Sequence, residues 1–240
     1  MHSIGRIETN AKPYGIKDTY TQEGNLASIE YISHYQNRSD KCTYDNDKLK
    51  IAVLNFGSRA SIIKYSLQNG EIKIFDENSN INDLLDYNPH CIVFASGPGD
   101  PRLVYSKNSM IIKKAIELNV PILGVCLGCQ LIALHFGCSI KRLENSHHSS
   151  THPIMDVCNN KVFISSHNHD YYISSDNLPI HVEKTFVSLF DNTLEGFVIK
   201  SANIYGYQFH PESRPGPNDT IFLLDDFFKL CNEKCQKIAV

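Results

Sequence analysis

Between Lys48 and Cys138 the chain alternates short, wholly apolar runs with segments of helical spacing, and this alternation restricts the fold more than any other feature. KIAVLNF, EIKIF, HCIVFAS and PILGV read as strands, each closed by a turn residue. Between them, ASIIKYSLQNG places Ile62, Ile63 and Leu67 on one helical face before Gly70. INDLLDYNP forms a short helix ended by Pro89, and residues 106–119 read as a third. LGCQLIALHFG follows the fourth strand as a helix closed by Gly137. Strands apolar on both faces and joined by helices imply βαβ units, with a parallel sheet covered on either side.

Beyond residue 138 the texture changes to CSIKRL, HPIMDV, KVFISS, HVEKTFVSL, LEGFVIK and NIYGYQF, six strand-like runs separated by turn residues such as Asp191-Asn192. These read as antiparallel additions to the parallel core. NDTIFLLDDFFKLCNEKC then carries apolar residues at 221, 224, 227, 228 and 231, an amphipathic helix returning to that core. Residues 1–47 are polar, without a sustained period, and end in the linker-like SDKCTYDNDK. They are expected to form an irregular or partly disordered extension to an α/β domain over 48–240, with an open, mostly parallel, flavodoxin-like sheet.

Composition narrows the function classes. A net charge of −3 over 240 residues excludes a surface built to grip nucleic acid or acidic membrane. No apolar run reaches the ~20 residues of a membrane-spanning helix, and the first residues lack the apolar stretch of a secretory signal. Of the eight cysteines, Cys91, Cys126 and Cys138 lie in apolar runs, where free thiols pack as small hydrophobes. The expected compartment is the cytoplasm.

Three loops carry the chemistry. Gly124-Val125-Cys126-Leu127-Gly128 joins strand PILGV to the next helix as a G-x-nucleophile-x-G turn. Such a turn lifts the central side chain above the carboxyl edge of the sheet and aims the following N–H groups and the helix dipole at it. Cys126-x-x-Cys129 has the spacing of a redox pair too, but its helix follows the fourth strand rather than the first. Ser96-Gly97-Pro98-Gly99-Asp100-Pro101 follows the third strand, at the same edge. His210-Pro211-Glu212 follows NIYGYQF, and in an extended chain Glu212 shares a face with His210 and fixes its tautomer. Taken alone, each is an ordinary turn, a buried core cysteine or a strand-end histidine. His147, His148, His152, His167 and His169 cluster in mid-chain and could line a site.

In combination GVCLGCQLIA, ASGPGDP and YQFHPES resemble the class I (triad) glutamine amidotransferases. SGPGDP, SLFDNTLEGF, SSHNHDYYI and HPESRPGPND are most similar to the glutaminase domain of the carbamoyl-phosphate synthetase small subunit. The resemblance covers residues 48–235. It implies that Cys126 attacks the glutamine carboxamide to form a γ-glutamyl thioester, that His210 shuttles the proton and that Glu212 orients His210. It further implies an oxyanion held by Leu127 and Gly97 N–H groups, and glutamine held by Gly99, Gln130, Asn168, Asp170 and Tyr171. No metal or organic cofactor is implied for this chain; ATP belongs to a partner synthetase large subunit that receives the ammonia for pyrimidine and arginine synthesis.

Residues 1–47 are too short for the subfamily's N-terminal domain. Asp170 stands where the family pattern has Gly, and Ser146 and Ser149 replace two further glycines. Three alternatives stay open: a stand-alone γ-glutamyl hydrolase or peptidase, a glutaminase serving another synthetase, and a non-catalytic regulatory subunit that kept the fold.

Overall fold

The computed structural model describes residues 48–238 apart from Arg59, Glu77, Arg214 and Pro215. The expected N-terminal extension lies outside the described residues. Within them, nine strands form one sheet in the order β2-β1-β3-β4-β9-β8-β6-β5-β7. Strands β1 (Lys50–Leu54), β2 (Glu71–Phe75), β3 (Cys91–Phe94), β4 (Ile122–Val125) and β9 (Ile204–Tyr207) run parallel. Strands β5 (Ile140–Asp156), β6 (Val162–Ile173), β7 (Glu183–Ser188) and β8 (Leu194–Ile199) are antiparallel. β7 pairs with both β5 and β8, so these four strands close on one another.

Helices α1 (Ala60–Asn69), α2 (Ile81–Tyr87), α3 (Pro101–Glu117), α4 (Leu127–His135) and α5 (Phe222–Ile238) supply the cover. Alternation along β1 sends Ala52 and Leu54 into one cluster with Leu84, Ile112 and Ile132 from α2, α3 and α4. On the other face α5 meets α1 and β9 through Tyr65–Phe228 and Tyr205–Phe227 ring contacts. Both faces of the central parallel strands β1, β3 and β4 are therefore dry, as their unbroken apolar runs require.

Three local readings change. Helix α3 starts at Pro101, five residues before the spacing suggests, because the Asp100 side chain caps the Arg102 N–H and Pro101 fits the first turn. CSIKRL and HPIMDV are one strand, β5, interrupted by register shifts between Arg142 and His147 and between Ser149 and His152. NIYGYQF joins the two halves: β9 pairs antiparallel with β8, as expected, but also in parallel with β4, Val125 opposite Tyr207. This last pairing places the segment after β9 directly beside the turn after β4.

Candidate active site

Cys126 caps α4 with φ 52° and ψ −109°, a backbone state that few residues other than glycine adopt. Such strain costs about 1–3 kcal/mol and persists only where neighbours fix it. Here the Cys126 N–H donates to the Tyr207 carbonyl at 2.8 Å, and its own carbonyl accepts the Gln130 N–H at 3.2 Å. The flanking glycines are sterically required. A Cβ on Gly128 would lie 2.1 Å from the Phe94 carbonyl oxygen, and one on Gly124 would meet the Cys129 backbone at 2.9 Å. The elbow read from sequence is present, and Cys126 is free, as are the other described cysteines. Cys129 is fully buried, and burial raises its thiol well above the ordinary range, which suits packing rather than a redox partner.

Two groups flank the Cys126 sulfur. The Gln208 Nε2 donates to Sγ at 3.9 Å, and the thiol donates to the Asn168 carbonyl at 3.9 Å. His210 is held by its N–H to the Ser166 carbonyl at 2.8 Å, an isolated bridge to β6. Its Nδ1 lies 3.1 Å from Glu212 Oε1, and that oxygen accepts the Ser61 hydroxyl at 3.2 Å. Glu212 does not continue an extended strand. The Ser213 N–H donates to the His210 carbonyl at 3.0 Å, so residues 210–213 form a β-turn with Pro211 at its second position. The turn brings carboxylate to imidazole in place of the extended geometry expected.

Burial alone would lower the His210 pKa, but the Glu212 carboxylate, with hydrogen bonds that the ring donates to Cys126 and Glu212, raises it to about 10. Burial would likewise raise Glu212, and the His210 charge instead holds it below the usual carboxylate range.

The remaining sequence-named residues converge on the same edge. Gly97 touches the β1–α1 loop so closely that a Cβ would lie 2.1 Å from the Phe56 carbonyl oxygen. Gly99 has φ +103° and precedes the cap of α3. Leu127 opens α4 directly after the thiol. Gln130 is buried, and its Nε2 donates to the Tyr171 carbonyl at 2.7 Å and to Gln208 Oε1 at 2.9 Å. The Tyr171 hydroxyl reaches Asp100 Oδ2 at 3.4 Å, tying β6 to the glycine loop.

Asn168 presents its backbone carbonyl to the sulfur while its side chain bonds His148 Nδ1 at 2.8 Å. Asp170 takes a hydrogen bond from Ser146, which with His148 keeps its carboxyl below the usual range. Two departures from the family pattern, Ser146 and Asp170, thus meet. Gln208 and Ser61 were missed by sequence reasoning. Gln208 stands two residues before His210, so the period-two argument applied to Glu212 would have found it; Ser61, on another element, left no local signal.

The family profile "Glutamine amidotransferase class-I" matches residues 52–230. The chain belongs to the class I glutamine amidotransferase family. It is 34% identical over 221 residues to the carbamoyl phosphate synthase small chain of Clostridium perfringens, covering 92% of this chain and 61% of that protein. With the Methanocaldococcus jannaschii protein of the same description it shares 38% identity over 192 residues, 79% of this chain and 53% of the relative. The chain thus spans about half to three fifths of the length of these relatives. Among solved structures, a Thermoplasma acidophilum protein provisionally described as part of a GMP synthase superposes with a TM-score of 0.68 at 24% identity, over 80% of this chain and 98% of that one. That likeness bears out the α/β amidotransferase fold. No helix among the described residues is long and apolar enough to cross a membrane.

Proposed function

We propose that this amidotransferase domain hydrolyses L-glutamine to glutamate and ammonia at Cys126, delivering the ammonia to a synthetase large subunit that makes carbamoyl phosphate. The observation that carries the reading is the strained elbow at Cys126 facing the buried His210–Glu212 pair. The Cys126 sulfur, its proton passed to His210, adds to the carboxamide carbon, and the oxyanion accepts hydrogen bonds from the Leu127 and Gly97 N–H groups. The C–N bond breaks as His210 returns the proton to departing ammonia. Water, deprotonated by His210, then cleaves the thioester and restores the thiol. Glu212 keeps the imidazole oriented and its charge compensated throughout.

Gln130, Gly99, Asn168, Asp170 and Tyr171 shape the glutamine subsite in this reading, and the half-reaction draws on no metal or organic cofactor. The carbamoyl-phosphate assignment rests on similarity to small chains of that synthase. The test is ammonia release from glutamine by the full chain, alone and with a carbamoyl-phosphate synthetase large subunit, with Cys126→Ala as control. Turnover that rises with the partner and vanishes in Cys126→Ala is expected. Partner-independent turnover would replace the reading with a free-standing hydrolase, and none in either setting would leave a non-catalytic subunit.

A further inference from the structure

Behind the wall of the active site, where β5, β6 and β8 meet, four buried side chains point their free atoms at one spot: His147, His167, His169 and Glu195. None takes part in the chemistry described above. Their side chains are 7%, 0%, 3% and 0% exposed, so whatever fills the centre is shielded from water.

The hydrogen bonds around the cluster allow one bare ligand atom on each residue. His169 Nδ1 lies 2.9 Å from the Tyr171 carbonyl, which can only accept; Nδ1 therefore carries the proton and Nε2 is bare. The Ser165 hydroxyl lies 3.2 Å from the His152 carbonyl and 2.7 Å from His167 Nε2; when it donates to the carbonyl it accepts from Nε2, and His167 Nδ1 is then bare. His147 Nε2 donates to the Asp191 carboxylate at 2.9 Å, leaving Nδ1. Glu195 Oε1 accepts from Thr193 at 3.2 Å, leaving Oε2. His147 Nδ1 lies 3.2 Å from Glu195 Oε1, and neither that nitrogen nor Glu195 Oε2 has a partner with good hydrogen-bond geometry.

In that arrangement unshared electron pairs converge from the residues around one centre. The sharpest case is His167 Nδ1, 3.1 Å from His169 Nε2. Two neutral imidazoles that present lone pairs to each other at that distance repel, and burial makes the repulsion and the unmet acceptors costly. A cation at the centre removes both penalties.

We infer that these four side chains form a closed, tetrahedral site for a divalent transition metal of the zinc class. Metal–ligand bonds of about 2.0–2.1 Å place tetrahedral ligands roughly 3.4 Å apart. The separations here are 3.1 Å between the two bare nitrogens of His167 and His169, 3.5 Å from His167 Nδ1 to Glu195 Oε2 and 3.9 Å from His169 Nε2 to that oxygen. All four ligand atoms fall within 4.8 Å of one another. Each imidazole has its second nitrogen fixed by a carboxylate, a carbonyl or a hydroxyl, as metal-bound histidines generally do. Asp191 beside His147 makes a carboxylate–histidine pair of the usual kind. His152 stays outside the set: it bonds Ser188 at 2.9 Å, and its ring stacks on His167 at 4.1 Å.

With four protein ligands the site leaves no position for water, so its role is structural. It would pin β6, which carries the Asn168 carbonyl beside the Cys126 sulfur, to β5 and β8. It is an addition to the sequence reading, which expects no metal in this chain, and it is independent of the glutaminase assignment.

The test uses the full chain stripped with a chelator and titrated with Co²⁺. One equivalent should bind with the intense visible absorption of tetrahedral cobalt and without thiolate charge-transfer bands, and Zn²⁺ should displace it. His167→Gln and Glu195→Gln should each lose that equivalent, and Asp191→Asn should weaken it by about 10–100-fold. As a readout that needs no variant, thermal unfolding of wild type should shift upward with one equivalent of Zn²⁺ over chelator. Absence of the tetrahedral spectrum, bands from thiolate ligation, binding unchanged in His167→Gln, or identical unfolding with zinc and chelator would each overturn the inference. The last result, together with no bound cobalt, would put a shared proton at the centre instead.

Discussion

The parallel and antiparallel halves of the sheet handle polar atoms in opposite ways. In the parallel half, β1, β3 and β4 are buried along nearly their whole length, and reactive groups appear only where strands end, at Ala95–Asp100, Cys126 and Gln208–Glu212. Backbone geometry positions them, because an apolar strand has no other means of aiming a side chain. In the antiparallel half, β5 and β6 carry histidines, serines and asparagine within the strands, and β8 buries Glu195. There, side chain fixes side chain. The first half is intolerant of added volume, and the second is intolerant of lost hydrogen bonds.

That contrast breaks most sharply at the thiol. Cys126→Ala should lower glutamine turnover by on the order of 10⁴-fold or more, as loss of a nucleophile generally does, while circular dichroism stays native. A folded variant with wild-type turnover would end the mechanism. Next in size is a change of volume alone. Gly128→Ala drives a Cβ to 2.1 Å from a carbonyl oxygen and should cost about 3 kcal/mol in chemical denaturation. Gly137→Ala, where a Cβ meets nothing within 4 Å but φ is +85°, should cost about 1 kcal/mol. Equal losses at the two glycines would deny that close approach sets the elbow.

Third comes the orienting carboxylate. Glu212→Gln should reduce turnover by on the order of 10²-fold and bring the His210 titration down from about 10 toward its ordinary value. The folded-state pKa of His210 is raised, so its pairing with Glu212 stabilises fully below about pH 6.5 and is lost as pH rises through about 10. From the acid side the depressed Glu212 gives the same contact its other limit, lost as pH falls below the ordinary carboxylate range. Wild type should therefore lose stability relative to Glu212→Gln only outside that window, which parallel pH-dependent unfolding of the two proteins measures. The smallest effect belongs to Asp170, half-exposed beside His148. In the proposed glutamine subsite Asp170→Gly removes a negative charge that would repel the substrate carboxylate and should lower KM about threefold, the size of an exposed charge interaction; a raised KM would assign Asp170 to holding the substrate's ammonium group.

Legibility in the sequence follows the same division. The elbow could be read because Gly124 and Gly128 answer a backbone demand that leaves a fixed local spacing. Pro101 after Asp100 was equally readable as a helix start, and the apolar spacing from residue 106 onward drew attention from it. The histidine cluster could be seen as a run of histidines but not as a convergence. His147 meets His169 only through the β5–β6 register, and Glu195 arrives from β8. A register shift between Arg142 and His147 sets that pairing, and bulges leave no reliable mark on a polar segment. Ser61 was hidden for a related reason, since it reaches Glu212 across 151 residues of chain.

The closure of β7 onto β8 has a consequence for association between molecules. A strand that ends a sheet offers unpaired backbone groups to any other extended chain. At the antiparallel end of this sheet β7 is bonded on both sides, to β5 and β8, so that template is consumed internally. Among the described strands only β2 terminates the order with a free side, and it is five residues long with Glu71 and Lys73 exposed. Short, charged edges resist strand-to-strand growth. At β7 and at β2 alike, the strands that end the sheet order thus offer little backbone to another copy.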